Sequence, residues 1–262
     1  MAEALFWAAL AGYATAATAY GAGFRRPGRL GQIGTWGVRL GWLLQTALLG
    51  YQAADARGFP WTGWAGSLEL FVWLVVGAYL IWGCRPRYRL LGVAVMPLGT
   101  ALLAVAYAGG GTSTGHEHRY SSLFLVLHVG LVLVAFAGFT LAAALSALYL
   151  WQERRLKRRE ASILRVRVPS LVNLDELVGR TIVVALPALT LGIAAGLVRL
   201  AWNGGGFDVL MVVTLVTWAV YGAFLVLRFE AGWHGRRAAY LALIGFALVI
   251  AVRLGLPTAH FS

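Results

Sequence analysis

The chain has 262 residues, 60% of them hydrophobic and only 12% charged. A soluble domain of this length needs more polar surface, so the apolar excess faces lipid and membrane spans consume most of the length. The net charge of +12 then belongs to basic loops at one membrane face, next to anionic lipid, and no nucleic-acid partner is expected. A single cysteine, Cys84, excludes an intramolecular disulfide and a CxxC redox pair, and argues against thiol–disulfide activity in this chain. The 33 glycines lie inside apolar runs, where small residues let helix backbones approach closely.

Taken in chain order, apolar runs broken by short polar or basic segments predict helices over 3–24, 35–54, 67–84, 90–109, 121–151, 178–201, 207–229 and 237–256. The first lacks a basic segment before its apolar run and is long enough to span, so it reads as a retained helix rather than a cleaved signal. The fifth is long and is expected to project beyond the bilayer at its basic end. Before the sixth, NLDEL (173–177) reads as a helix entry with Asn173 as its cap. The fold class is therefore all-α: a polytopic transmembrane helix bundle of about eight spans, in a single integral membrane domain over 1–262. No repeat at a fixed spacing is present.

Arginines give the orientation. One set of breaks holds RRPGR (25–29), RPRYR (85–89), ERRLKRRE (153–160), RVRV (165–168) and WHGRR (233–237), whereas the other holds Arg57 and Arg119. The first set is cytoplasmic by the positive-inside rule, and eight spans then leave both termini external. The expected location is the cell (plasma or inner) membrane.

This orientation gathers polar groups at the outer face. His128 lies about two turns inside the external end of the fifth span, and His260 lies just beyond the eighth. Arg199 ends the sixth, Asp208 begins the seventh, Arg253 is near the end of the eighth, and Glu69 begins the third. Ionisable groups at such depth are costly and tend to face the bundle interior. Two histidines from different helices could supply both axial ligands of a haem iron, and arginine matches the haem propionates. Arg199 and Arg253 are the candidates for that role, with Trp61, Trp64, Trp202 and Phe207 near enough to help wall a flat macrocycle. Plainer alternatives stand beside each assignment. His128 could hydrogen-bond a neighbouring helix, His260 could be solvated, and the two arginines could snorkel. His116 and His118 form an HxH better read as solvated loop chemistry than as a metal site. His234, in a basic turn, reads as a surface residue. No HExxH or CxxCH spacing occurs.

Several stretches carry a more specific signal. A histidine opens a long helix that ends in Tyr-Leu and a basic segment, LHVGLVLVAFAGFTLAAALSALYLWQERRLKRR. Next come NLDELVGRTIVVALPALTLGIAAG, a seventh helix TLVTWAVYGAFLVLRF, a basic turn GWHGRRAAYLALIGF and a terminal LGLPTAHFS. In order and spacing these resemble the cytochrome c assembly family of membrane proteins, the CcsA/HemX-like group of multi-span haem-handling proteins. The resemblance is strongest over 120–262.

It implies that His128 and His260 are axial haem ligands, and metal ligands in that sense, on the external face. The family's haem-joining members carry a tryptophan-rich loop of the type WGxxWxWDxxE between these histidines. Here that loop reads AWNGGGFDVLMVV, in which Trp202 and Asp208 match, Phe207 replaces a tryptophan and Met211 replaces the acid. Val226 stands where the synthetases carry a histidine in the seventh helix. These departures point to the HemX-like branch.

The expected function is to bind or pass haem, non-covalent and b-type, in support of c-type cytochrome maturation. Apocytochrome c or other assembly membrane proteins are the expected partners. No residue stands out as a general base or nucleophile, and whether the chain is an enzyme stays open: the expectation is that it is not, and if it is, it acts as part of a haem–cytochrome c ligation system. The rival reading is a membrane regulator or scaffold of a haem-biosynthetic enzyme that acts through ERRLKRRE without bound haem. A transporter is disfavoured by the absence of an inverted repeat and of paired broken helices.

Overall fold

The computed structural model describes residues 1–23, 29–55, 61, 63–83, 89–110, 123–159, 169–203 and 209–254. These residues form eight helices and no strand: α1 (Ala2–Gly23), α2 (Leu30–Asp55), α3 (Trp64–Gly83), α4 (Arg89–Ala108), α5 (Leu123–Lys157), α6 (Leu171–Asn203), α7 (Val209–Phe229) and α8 (Arg236–Leu254). The eight expected helices are present in order. Five of them, α3 to α7, are long and apolar enough to cross a membrane, and the chain is an integral membrane protein. The small residues of α1 and the glutamines and glycines of α2 lower their hydropathy. Those same residues serve the packing between the two helices.

Contacts sort the chain into two compact units, one holding α1–α4 and the other α5–α8. In the first, α1 and α2 are antiparallel and cross at glycine. A Cβ on Gly12 would lie 2.9 Å from the Cα of Gly41, and one on Gly37 would lie 2.9 Å from the Gly12 carbonyl oxygen. This close backbone approach leaves no room for larger side chains. Further along the interface the Tyr13 hydroxyl donates to Gln45 Oε1 at 2.7 Å, and Trp42 stacks on Trp73 of α3 at 5.3 Å.

The second unit is built on the antiparallel α5–α6 hairpin, with α7 and α8 packed beside it. Phe139 of α5 stacks on Tyr221 of α7 with ring centroids 3.7 Å apart, and both are fully buried. The Tyr221 hydroxyl donates to the Ala242 carbonyl of α8 at 3.2 Å, so its polar tip is satisfied inside the core. At 35 residues, α5 is about 52 Å long. That exceeds a hydrocarbon core of about 30 Å, and the excess carries Arg154, Arg155 and Lys157 in its last turn. Helices α4 and α6 run on through Pro97 and Pro187 without interruption.

The start of α6 differs from expectation. The helix begins at Leu171, and the backbone N–H of Asn173 donates to Ser170 Oγ at 3.2 Å. Ser170 is therefore the cap and Asn173 its third-position donor, so the NLDEL acids lie inside the helix rather than ahead of it.

Candidate functional site

The site is built from the α5–α6 crossing. Gly192 and Gly196 are one turn apart and open a notch on the α6 face that meets α5. A Cβ on Gly192 would lie 2.8 Å from Val132 Cγ2, and one on Gly196 would lie 2.7 Å from His128 Cε1. The imidazole of His128 occupies the space that a side chain at position 196 would take. Its Nδ1 donates to the carbonyl oxygen of Gly192 at 2.6 Å. A carbonyl can only accept, so this bond selects the Nδ1–H tautomer and places the imidazole lone pair on Nε2. A Cβ at position 196 would lie 2.9 Å from Nδ1 and 3.6 Å from Nε2.

A hydrogen bond to a neighbouring helix was the plain alternative for His128, and that bond is present. It is compatible with ligation, because metal-binding histidines characteristically donate their second N–H to a carbonyl or carboxylate, which fixes ring and tautomer. An imidazole held in this way has the chemistry of one axial ligand, and its expected counterpart, His260, lies outside the described residues.

Arg199 follows Gly192 and Gly196 at seven and three residues, so it continues the same α6 stripe one turn toward the C-terminal end of the helix. It is half-buried. Trp202, at the end of that helix, is 70% exposed. Arg253 lies in the last turn of α8, but its side chain is outside the described residues. His260, Asp208 and Phe207 also lie outside them, as do His116 and His118. Among the described residues no group of three or more His, Cys, Asp or Glu side chains could hold a metal ion.

Glu69 belongs to the first unit. It is buried in the first unit, where Gln52 Nε2 donates to its Oε2 at 2.9 Å and Gln45 Nε2 donates to its backbone carbonyl at 3.0 Å. Trp61 is engaged there too, its indole N–H donating to Gln52 Oε1 at 2.9 Å.

One functional-looking cluster was not anticipated from the sequence. Asp175 accepts from Arg228 Nη2 at 2.9 Å and Nη1 at 3.3 Å, and from the Gly235 backbone N–H at 2.8 Å. His234 Nδ1 lies 3.2 Å from the same carboxylate. The Arg228 and Asp175 side chains are only 9% and 14% exposed. The pair clamps α6 to the end of α7 and to the turn before α8. His234 is largely exposed, as expected, but is also a member of this clamp. Its one sequence signal was a lone Asp-Glu pair among arginines.

A family model described as cytochrome C assembly protein matches residues 61–258. A cytochrome c biogenesis protein CcsA from Gloeothece citriformis (strain PCC 7424) is 29% identical, covering 90% of this chain and 87% of its own length. The protein of that name from Synechococcus elongatus (strain ATCC 33912 / PCC 7942 / FACHB-805) is 28% identical, covering 85% and 83%. That from Mesostigma viride is 26% identical, covering 85% and 82%. No solved structure matches. The family match takes in all of α3 to α8, with the His128 notch and the Asp175 clamp, and on that extent the chain belongs to the cytochrome c assembly protein family.

Proposed function

We propose that this chain is a haem-handling membrane protein that supports c-type cytochrome assembly. In this reading, haem is held non-covalently as b-type haem between His128 and His260, in the external half of an eight-span bundle with both termini outside. The observation that carries the proposal is the His128 Nδ1–Gly192 hydrogen bond, set in a chain of this family. An imidazole placed in a glycine notch, with its tautomer selected by a backbone carbonyl, is prepared for ligation through Nε2.

Each remaining residue has a positioning role. The notch at Gly192 and Gly196 fixes where the ring can stand. Arg199 lies one turn outward on the same stripe, at the level where propionates reach the membrane rim, and guanidinium pairs well with carboxylate. Arg253, near the external end of α8, would take the second propionate. Trp202, at the end of α6, and Asp208, between α6 and α7 in sequence, would border the open edge. When bound, haem supplies vinyl groups for thioether attachment, with the thiols contributed by the apocytochrome. The chain itself orients haem and tunes its iron, and no residue is assigned as acid, base or nucleophile. The partners are haem, apocytochrome c and other assembly membrane proteins, in the plasma or inner membrane.

The test is an absorption spectrum of detergent-purified protein from haem-replete cells. The expected result is a low-spin bis-histidine spectrum that is lost in His128→Ala and in His260→Ala, with both variants still membrane-inserted. A spectrum unaffected by either substitution would remove the ligand assignment. Wild-type protein that never carries haem would favour the regulator reading instead.

A further inference from the structure

At the arginine-rich end of the second unit, α5 and α8 leave a cleft of about 480 Å³. Its α5 wall is made by Leu150, Trp151, Arg154, Arg155 and Arg158, and its α8 wall by Tyr240 and Leu243. The α5 residues recur at helical spacing, so they form one stripe that is apolar toward the helix middle and cationic toward its end. Arg155 lies over the Trp151 ring, 4.8 Å from its centroid. Arg154 and Arg236 both donate to the Tyr240 hydroxyl, each at a long 3.5 Å. Among the described residues no acid lines the cleft. The nearby Glu153 is occupied by Lys157 at 2.7 Å.

Three guanidiniums on one helical stripe repel one another, and an anion among them would relieve that repulsion. A positive-inside signal needs only the charges. It does not require them to stand above an apolar floor, in a cleft far larger than a small inorganic anion. The arrangement matches a molecule with an anionic head and a hydrocarbon body, entering from the leaflet in which α5 ends.

We propose that this cleft binds an anionic phospholipid. The phosphate sits among Arg154, Arg155 and Arg158 at the level of the Tyr240 hydroxyl, and an acyl chain lies along Leu150 and Leu243. This site stands on membrane insertion alone and is independent of haem binding.

The experiment reconstitutes the full chain into nanodiscs of phosphatidylcholine with a minor share of phosphatidylglycerol and measures retained lipid by native mass spectrometry. Wild type should retain phosphatidylglycerol over phosphatidylcholine by on the order of tenfold or more. The triple variant Arg154→Gln, Arg155→Gln, Arg158→Gln should lose that preference. An equal charge removal at Arg25, Arg26 and Arg29 should not. Leu243→Trp, which fills the cleft but leaves every arginine in place, should also lower retention and remains informative if the triple variant fails to insert. Equal losses at both arginine sets would make the effect a general charge effect and overturn the proposal. Displacement of the lipid by millimolar inorganic phosphate would reassign the site to a free anion.

Discussion

His128 on α5 donates from Nδ1 to the carbonyl oxygen of Gly192 on α6, 2.6 Å away, and the absent side chain of Gly196 makes room for the ring. The imidazole is thus held by helix backbone on two sides, which gives each glycine a distinct consequence when substituted. Gly196→Ala places a methyl group 2.7 Å from His128 Cε1, so either the ring or the helix must move. The expected cost is about 1–3 kcal/mol, the range for overpacking, together with loss of any haem spectrum. Gly130, whose Cβ would meet nothing within 4 Å, serves as the control and should tolerate alanine. Thermal unfolding in detergent, read alongside the spectrum, checks both.

The Asp175–Arg228 pair makes a second claim, this time about assembly of the α6–α7–α8 end. Removing one partner of a nearly buried pair strands the other charge, at a cost of about 3–5 kcal/mol. Asp175→Ala should therefore be strongly destabilising, more so than Glu176→Ala one residue along, where the ion pair with Arg180 is exposed and contributes about 0–1 kcal/mol. Equal thermal shifts for the two variants would contradict this account of the clamp.

In the first unit, Gln52 bridges Trp61 and Glu69 with both ends of its amide. Gln52→Leu keeps the volume but leaves a buried carboxylate oxygen and an indole N–H without this partner. A loss of about 1–3 kcal/mol is expected. Gln52→Glu would bring a second carboxyl beside the first and should be worse, as measured by denaturation midpoint.

Orientation is open to a direct check. A phosphatase that works only outside the cytoplasm should be active when fused after Gly110 and inactive when fused after Arg159. The reverse pattern would invert the topology and move His128 to the other leaflet.

Sequence patterning located all eight helices because lipid exposure demands long apolar runs with charged breaks. It placed their ends less well. NLDEL (173–177) reads as a helix entry capped by Asn173 ahead of a span from 178, yet Ser170 caps the helix three residues earlier. His128 was legible as an anomaly in apolar sequence, and its relation to Gly192 was not, since 64 residues separate them. The same distance in sequence hid the Asp175 clamp, whose partners are 53 to 60 residues away. Glu69 was grouped with the outer-face charges on depth alone. Its side chain meets Gln52 within the first unit, a contact set by helix rotation that hydropathy cannot report.

The most direct measurement is chemical rescue at position 128. His128→Gly purified from haem-replete cells should carry little haem, and added imidazole should restore a low-spin spectrum by entering the vacated notch and ligating iron in place of the side chain. If His128→Gly retains the full wild-type spectrum without imidazole, the residue is a helix-packing histidine and the account fails at its centre.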